Sequence, residues 1–156
     1  MAEWAEVLAG RTPTAADVPR LRYTTWVIRE SMRLYPPAWG IGREAISDCT
    51  IGEYHVPKGT QLYLNQWVVH HDPRWFDEPE VFRPERWEND LVKRLPHGAY
   101  FPFGDGPRIC IGNHFAMMEA VLLLATIGQR YRMTLVADGP LALVPAVTLR
   151  PKHGVK

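Results

Sequence analysis

Cys110 is the residue whose type and surroundings most suggest chemistry, in the run Phe103-Gly104-Asp105-Gly106-Pro107-Arg108-Ile109-Cys110-Ile111-Gly112. Only a thiolate ligates metal or attacks well, and the anion is favoured at a helix N-terminus and beside positive charge. An apolar helical pattern begins just after Gly112, so Cys110 is expected at a helix start, with N–H groups near Ile111 and Gly112 donating to its sulfur. In an extended loop, Arg108 and Cys110 point to the same side. Glycine permits backbone shapes and close approaches that other residues forbid. Such a loop suits a backbone laid flat against a planar ligand. The plainer alternative, a small buried hydrophobe, stays open for any lone cysteine.

A second set of residues could hold geometry. Glu30 and Arg33 lie three apart in a helical pattern, share a face and can pair. An exposed pair of this kind contributes less than about 1 kcal/mol. The histidines, His55, His70, His71, His97, His114 and His153, show no zinc-like spacing with Cys49 or Cys110, and are read as structural or surface residues.

The elements that must position these groups follow from punctuation and periodicity. Met1–Ala9 reads as a short helix, broken by Gly10-Arg11-Thr12-Pro13. A helix is predicted from about Pro19 to Tyr35, with Leu21, Thr25, Ile28, Met32 and Tyr35 facing a core and Pro36-Pro37 ending it. Residues 45–69 read as β, with a hairpin turning at Val56-Pro57-Lys58-Gly59. Residues 70–102 hold too many prolines for regular structure, and such a long loop is expected to be functional or tied down. A second helix, about Asn113–Tyr131, is apolar on several faces and expected to be buried on most sides. Short β-like runs are expected over Met133–Val147, and a turn over Arg150-Pro151-Lys152-His153-Gly154. The fold class is mainly α with small β-sheets.

Composition bounds the function. The chain of 156 residues suits one domain or a piece of a larger one. Its net charge of +1 lacks the basic excess of nucleic-acid binders. Two cysteines make no disulfide framework, so a reducing compartment is the simpler reading. The most apolar stretch, Ala120–Ile127, is too short to cross a bilayer. A soluble cytoplasmic protein is expected, with the question of a preceding membrane anchor left open.

The pattern Phe-x-x-Gly-x-Arg-x-Cys-x-Gly, met by Phe103, Gly106, Arg108, Cys110 and Gly112, resembles the haem-thiolate signature of the cytochrome P-450 family. Glu30-Ser31-Met32-Arg33 and Phe82-Arg83-Pro84-Glu85-Arg86-Trp87 resemble two further segments of that family, in the family's own order. His70-His71-Asp72-Pro73 departs from it, with His71 where arginine is common. The resemblance runs from about residue 14 to the C-terminus and implies a cytochrome P-450 fold, of which residues 1–156 are the C-terminal haem-binding portion without the distal part.

By that resemblance the cofactor is haem b and Cys110 is its axial iron ligand and catalytic residue. Phe103 would shield the sulfur, Gly106 and Gly112 would shape the loop, Arg108 would pair with a propionate and Arg43 with a second. Arg86 would join Glu30 and Arg33 in an architectural network. Ala38, Trp39, Gly40 and Ile41 would border the substrate, though Trp39 equally suits a core. The activity implied is insertion of one atom of O2 into a small organic substrate, with electrons from a ferredoxin or flavin reductase. Lys93, Arg94 and His97 offer a basic group to such a donor, or simply a solvated loop face. Two alternatives are a haem-binding module without oxygenase activity and an inactive packing domain in which Cys110 is merely buried.

Overall fold

The computed structural model describes residues 2–136, 139 and 141–155. The N-terminal helix α1, Ala2–Leu8, lies against a 3-10 turn, Ala15–Arg20. Helix α2 then spans Arg22–Leu34. Pro19 sits inside the 3-10 turn rather than in the first turn of the helix, so α2 starts three residues later than its sequence suggests. The cause lies upstream: Thr14 and Asp17 form a capping box, and Asp17 is clamped by both terminal nitrogens of Arg11. Leu8, Leu21, Val121 and Ala125 form the buried apolar cluster, with Trp4, Val7, Val18 and Ile28 packed around it.

Among the described residues the strands form three antiparallel pairs rather than one hairpin. Strand β1, Ile41–Glu44, pairs with β4, Gln61–Leu64. Between them β2, Cys49–Ile51, pairs with β3, Tyr54–Val56, around Gly52. The expected hairpin at residues 56–59 is therefore corrected. A turn does form, but one residue later than expected, over residues 57–60: Thr60 N–H donates to the Pro57 carbonyl, Gly59 sits third at φ +83, and the turn joins strands of two different pairs. Residues 66–69, read as β, also change state: Gln66–His70 is helix α3. The side chain of Asn65 accepts from the Val68 N–H and caps it, a local bond that overrides the β-branched pair Val68-Val69.

After His70, the last residue of α3, residues 71–102 hold only a 3-10 turn, Pro84–Trp87, and the single-turn helix α4, Leu91–Arg94. Helix α5, Asn113–Arg130, follows the cysteine loop. Strands β5, Leu143–Pro145, and β6, Leu149–Pro151, close the chain as a hairpin. Thus Arg150 and Pro151 lie in a strand, not in the expected turn. Part of the β-like stretch Met133–Val147 falls on Ala137, Asp138 and Pro140, which lie outside the described residues, as do Met1 and Lys156.

Two burial expectations are corrected. Tyr35 is exposed, because the polypeptide leaves the helix there and turns into Pro36. Helix α5 buries only one narrow face, through Val121 and Ala125, while Phe115, Leu123 and Ile127 are exposed.

Candidate functional site

The cysteine loop is built as the residue types demand. Gly104 (φ +76) and Gly106 (φ +64) adopt left-handed backbone that a side chain would strain. Gly106–Arg108 then form a 3-10 turn capped by the Asp105 side chain. The loop closes on itself when the Cys110 N–H donates to the Phe103 carbonyl at 2.9 Å. Helix α5 starts three residues after Cys110, as expected, with Asn113 N–H donating to the Cys110 carbonyl. Among the described residues no N–H donates to Cys110 Sγ, so the expected donation from Ile111 and Gly112 is not formed. A Cβ on Gly112 would sit 3.8 Å from Sγ, ordinary contact, so within the chain itself nothing crowds that position.

Cys110 is exposed, opposite to the buried hydrophobe weighed as its alternative. It opens into a cavity of about 690 Å³ whose walls include Pro37, Ala38, Ile41, Phe103 and Gly104. Arg43, from β1, and Arg108 line the same cavity. Among the described residues Arg43 donates only to the carbonyl of its neighbour Gly42. The residues fit haem b: one sulfur for iron, apolar and glycine surface for a flat macrocycle, and two guanidinium forks for carboxylates.

Glu30, Arg33 and Arg86 come together, and the pair is not the exposed one that helical spacing alone allows. Glu30 and Arg33 are both wholly buried. Glu30 Oε1 accepts from Arg33 Nη2 (2.9 Å), Arg86 Nε (2.9 Å) and the Arg83 N–H (3.0 Å). Its Oε2 accepts from Arg33 Nε (3.1 Å) and the Trp87 indole (2.9 Å). Burial pushes the Glu30 carboxyl up, but the Arg33, Arg83 and Arg86 donors outweigh it and hold it below the usual carboxylate value. Arg86 also donates to the carbonyls of Asp77, Glu78 and Val81, pinning the irregular stretch against α2.

His70 and Gln66 are site residues that sequence reasoning passed over. Both are fully buried on α3. His70 Nε2 accepts the Phe101 N–H at 3.0 Å, and Gln66 Nε2 donates to the Phe101 carbonyl. Burial, then the neighbouring His71 and Arg33, lowers the His70 pKa to about 3, so the ring is neutral. The signal that was available is the spacing of four between two polar residues in an otherwise apolar helical turn.

Other groups have simpler roles. His71 stacks on Trp67 at 4.2 Å, and its Nδ1 lies 2.7 Å from the Trp67 carbonyl. Trp39 is half-buried, donates to the Ala146 carbonyl and packs edge-on against Tyr63. Lys93 pairs with Asp90, and His97 lies 3.1 Å from Asp105, as suits a solvated loop face.

This architecture and its loop define a class of haem protein, and the comparisons agree. The family model for cytochrome P-450 matches residues 1–154, so the matched span begins ahead of residue 14. The chain belongs to the cytochrome P-450 family. It is 45% identical over 132 residues to a cyclooctat-9-en-7-ol 5-monooxygenase of Streptomyces melanosporofaciens, covering 85% of this chain and 29% of that protein. It is 41% identical over 151 residues to the cyclooctatin synthase of the same organism, covering 97% and 31%. A crystal structure of a cytochrome P-450 (CYP102L1) superposes with a TM-score of 0.87 at 32% identity, covering 99% of this chain and 36% of that one. The chain thus spans about a third of the length of the proteins it matches. The family is haem-dependent. Among the described residues no helix is long and apolar enough to cross a membrane.

Proposed function

We propose that residues 1–156 are the haem-binding portion of a monooxygenase, with the Cys110 thiolate as axial ligand of haem b. The observation that carries this reading is the convergence of Cys110, Arg108 and Arg43 on one apolar-walled cavity. Arg108 and Arg43 would hold the two propionates, and the backbone of Gly104 and Gly106 would let the loop approach the macrocycle. Phe103 would keep water from the sulfur while its carbonyl fixes the Cys110 N–H. The Glu30–Arg33–Arg86 network keeps the 70–102 stretch in place behind the loop. When bound, the haem supplies oxygen activation: one atom of O2 enters an organic substrate and the other leaves as water, with electrons from a ferredoxin or flavin reductase. The named relatives favour an oxygenation of this kind, one of them being a monooxygenase of a cyclooctat-9-en-7-ol. A reducing, cytoplasmic setting suits the two unpaired thiols.

Haem titration followed by a carbon monoxide difference spectrum of the reduced protein tests the reading. Stoichiometric uptake with a Soret band at the thiolate position is expected, lost in Cys110→Ala. A Cys110→Ala protein with unchanged uptake and spectrum would overturn it.

A further inference from the structure

Helix α3 carries two buried polar side chains with no place in the haem contacts proposed above. Gln66 and His70 stand four apart, on one face of the helix. They engage both backbone polar groups of one residue, Phe101. Phe101 donates its N–H to His70 Nε2 and receives Gln66 Nε2 on its carbonyl. A backbone N–H can only donate, so Nε2 is the bare nitrogen of the neutral ring and the proton resides on Nδ1. Likewise a carbonyl can only accept, which fixes the orientation of the Gln66 amide.

Both grips leave an atom unsatisfied. Gln66 Oε1 and His70 Nδ1 are buried without a hydrogen-bond partner among the described residues. Buried polar groups are rarely left unpaired, so these two ask for an explanation. The ring is further confined by Tyr100 at 5.0 Å and by an edge-on contact with Phe101 at 5.5 Å.

What the grip holds is the approach to the cysteine. The Phe101 carbonyl also accepts the Gly104 N–H at 2.9 Å, and the Phe103 carbonyl accepts the Cys110 N–H at 2.9 Å. On its other side α3 is tied to the charged network, because Arg33 Nη1 donates to the His70 carbonyl at 2.9 Å. Hydrogen bonds therefore run from Glu30 through Arg33, α3 and the Phe101 backbone to the turn that contains Cys110.

We propose that Gln66 and His70 are positioning residues that clamp the Phe101 backbone on both sides of its Cα and thereby fix the turn that presents Cys110. The proposal deepens the haem-thiolate reading and rests on it for its purpose, but the clamp itself is tested without haem. In the wild-type chain, NMR should show a scalar coupling between the Phe101 amide nitrogen and His70 Nε2, with the His70 proton on Nδ1. His70→Leu and Gln66→Leu should each speed amide exchange of Phe101 and of Cys110 about tenfold, the scale of one lost hydrogen bond. Exchange at Val121 and Ala125 should not change. His70→Gln, which offers an acceptor near the Nε2 position, should restore slow exchange. Absence of the coupling in the wild type would overturn the clamp without recourse to any variant. Acceleration at Phe101 with none at Cys110 would overturn the link to the cysteine turn. If the wild-type chain takes up haem, the Leu variants should show a larger share of the neutral-thiol band in the carbon monoxide spectrum. A wild-type protein with the coupling but no haem band would sink the haem reading and leave the clamp intact.

Discussion

Replacing Glu30 by leucine is the sharpest probe of how the irregular half of this chain is held. Leucine is close in size, so the change leaves no large void. It removes the acceptor for Arg33 Nε and Nη2, Arg86 Nε, the Trp87 indole and the Arg83 N–H. The Arg33 side chain is wholly buried and that of Arg86 nearly so, so two guanidinium groups lose their counter-ion out of reach of water. Removing one partner of a buried ion pair costs about 3–5 kcal/mol, and with two stranded cations we expect about 4 kcal/mol or more. Domain stabilities are about 5–15 kcal/mol, so this loss brings the variant near its unfolding threshold. Urea unfolding, followed by tryptophan fluorescence, gives the difference directly. Adding Arg33→Met should recover about 2 kcal/mol by removing the more deeply buried stranded charge. A Glu30→Leu loss under about 1 kcal/mol, the scale of an exposed pair, would refute the reasoning.

Further outcomes follow from other contacts. His70 is neutral when folded, with its pKa lowered to about 3 from an ordinary 6.5. The unfolded chain therefore binds the extra proton, and stability falls as pH drops from 6.5 toward 3, by about 2 kcal/mol at pH 5. His70→Gln should flatten that slope in urea titrations across pH, and an unchanged slope would contradict the assignment. A Cβ at Gly128 would run into the Trp4 ring, so Gly128→Ala should cost about 1–3 kcal/mol in the same assay. Combining it with Trp4→Leu should give less than the sum of the two single effects, because the clash is removed. Arg108→Leu should speed haem loss to apomyoglobin about tenfold, the scale of one charge-assisted hydrogen bond. The cysteine loop, helix α5 and the following segment expose Ile111, Phe115, Leu123 and Leu135, so the isolated chain should bind a hydrophobic dye and self-associate in light scattering.

The cysteine loop was legible because its chemistry is local: the glycines, the proline and Cys110 lie within ten residues, and the left-handed φ values fall where glycine stands. The network of Glu30, Arg33 and Arg86 was legible as an association of motifs, whereas its complete burial is tertiary information that no helical spacing carries. Strand pairing was misread for a related reason. A turn at Pro57–Thr60 reads the same from sequence whether or not the flanking strands pair, and the partner of β4 lies twenty residues upstream, in β1. Helix α3 was hidden by Val68 and Val69, which favour strands, while the one bond that decides for helix comes from Asn65. His70 was read only with the other histidines, as structural or surface, because its hold on Phe101 spans 31 residues and leaves no mark on local pattern.

The bond between sulfur and iron is the centre of the account, and resonance Raman spectroscopy of the haem-loaded protein tests it most directly. In a Cys49→Ser background Cys110 is the one cysteine left, so growth on sulfur-34 cysteine with unlabelled methionine supplied reports on that sulfur alone. The account predicts an iron–sulfur stretching mode that shifts to lower frequency with the heavier isotope. Bound haem whose vibrations are indifferent to the label would contradict it.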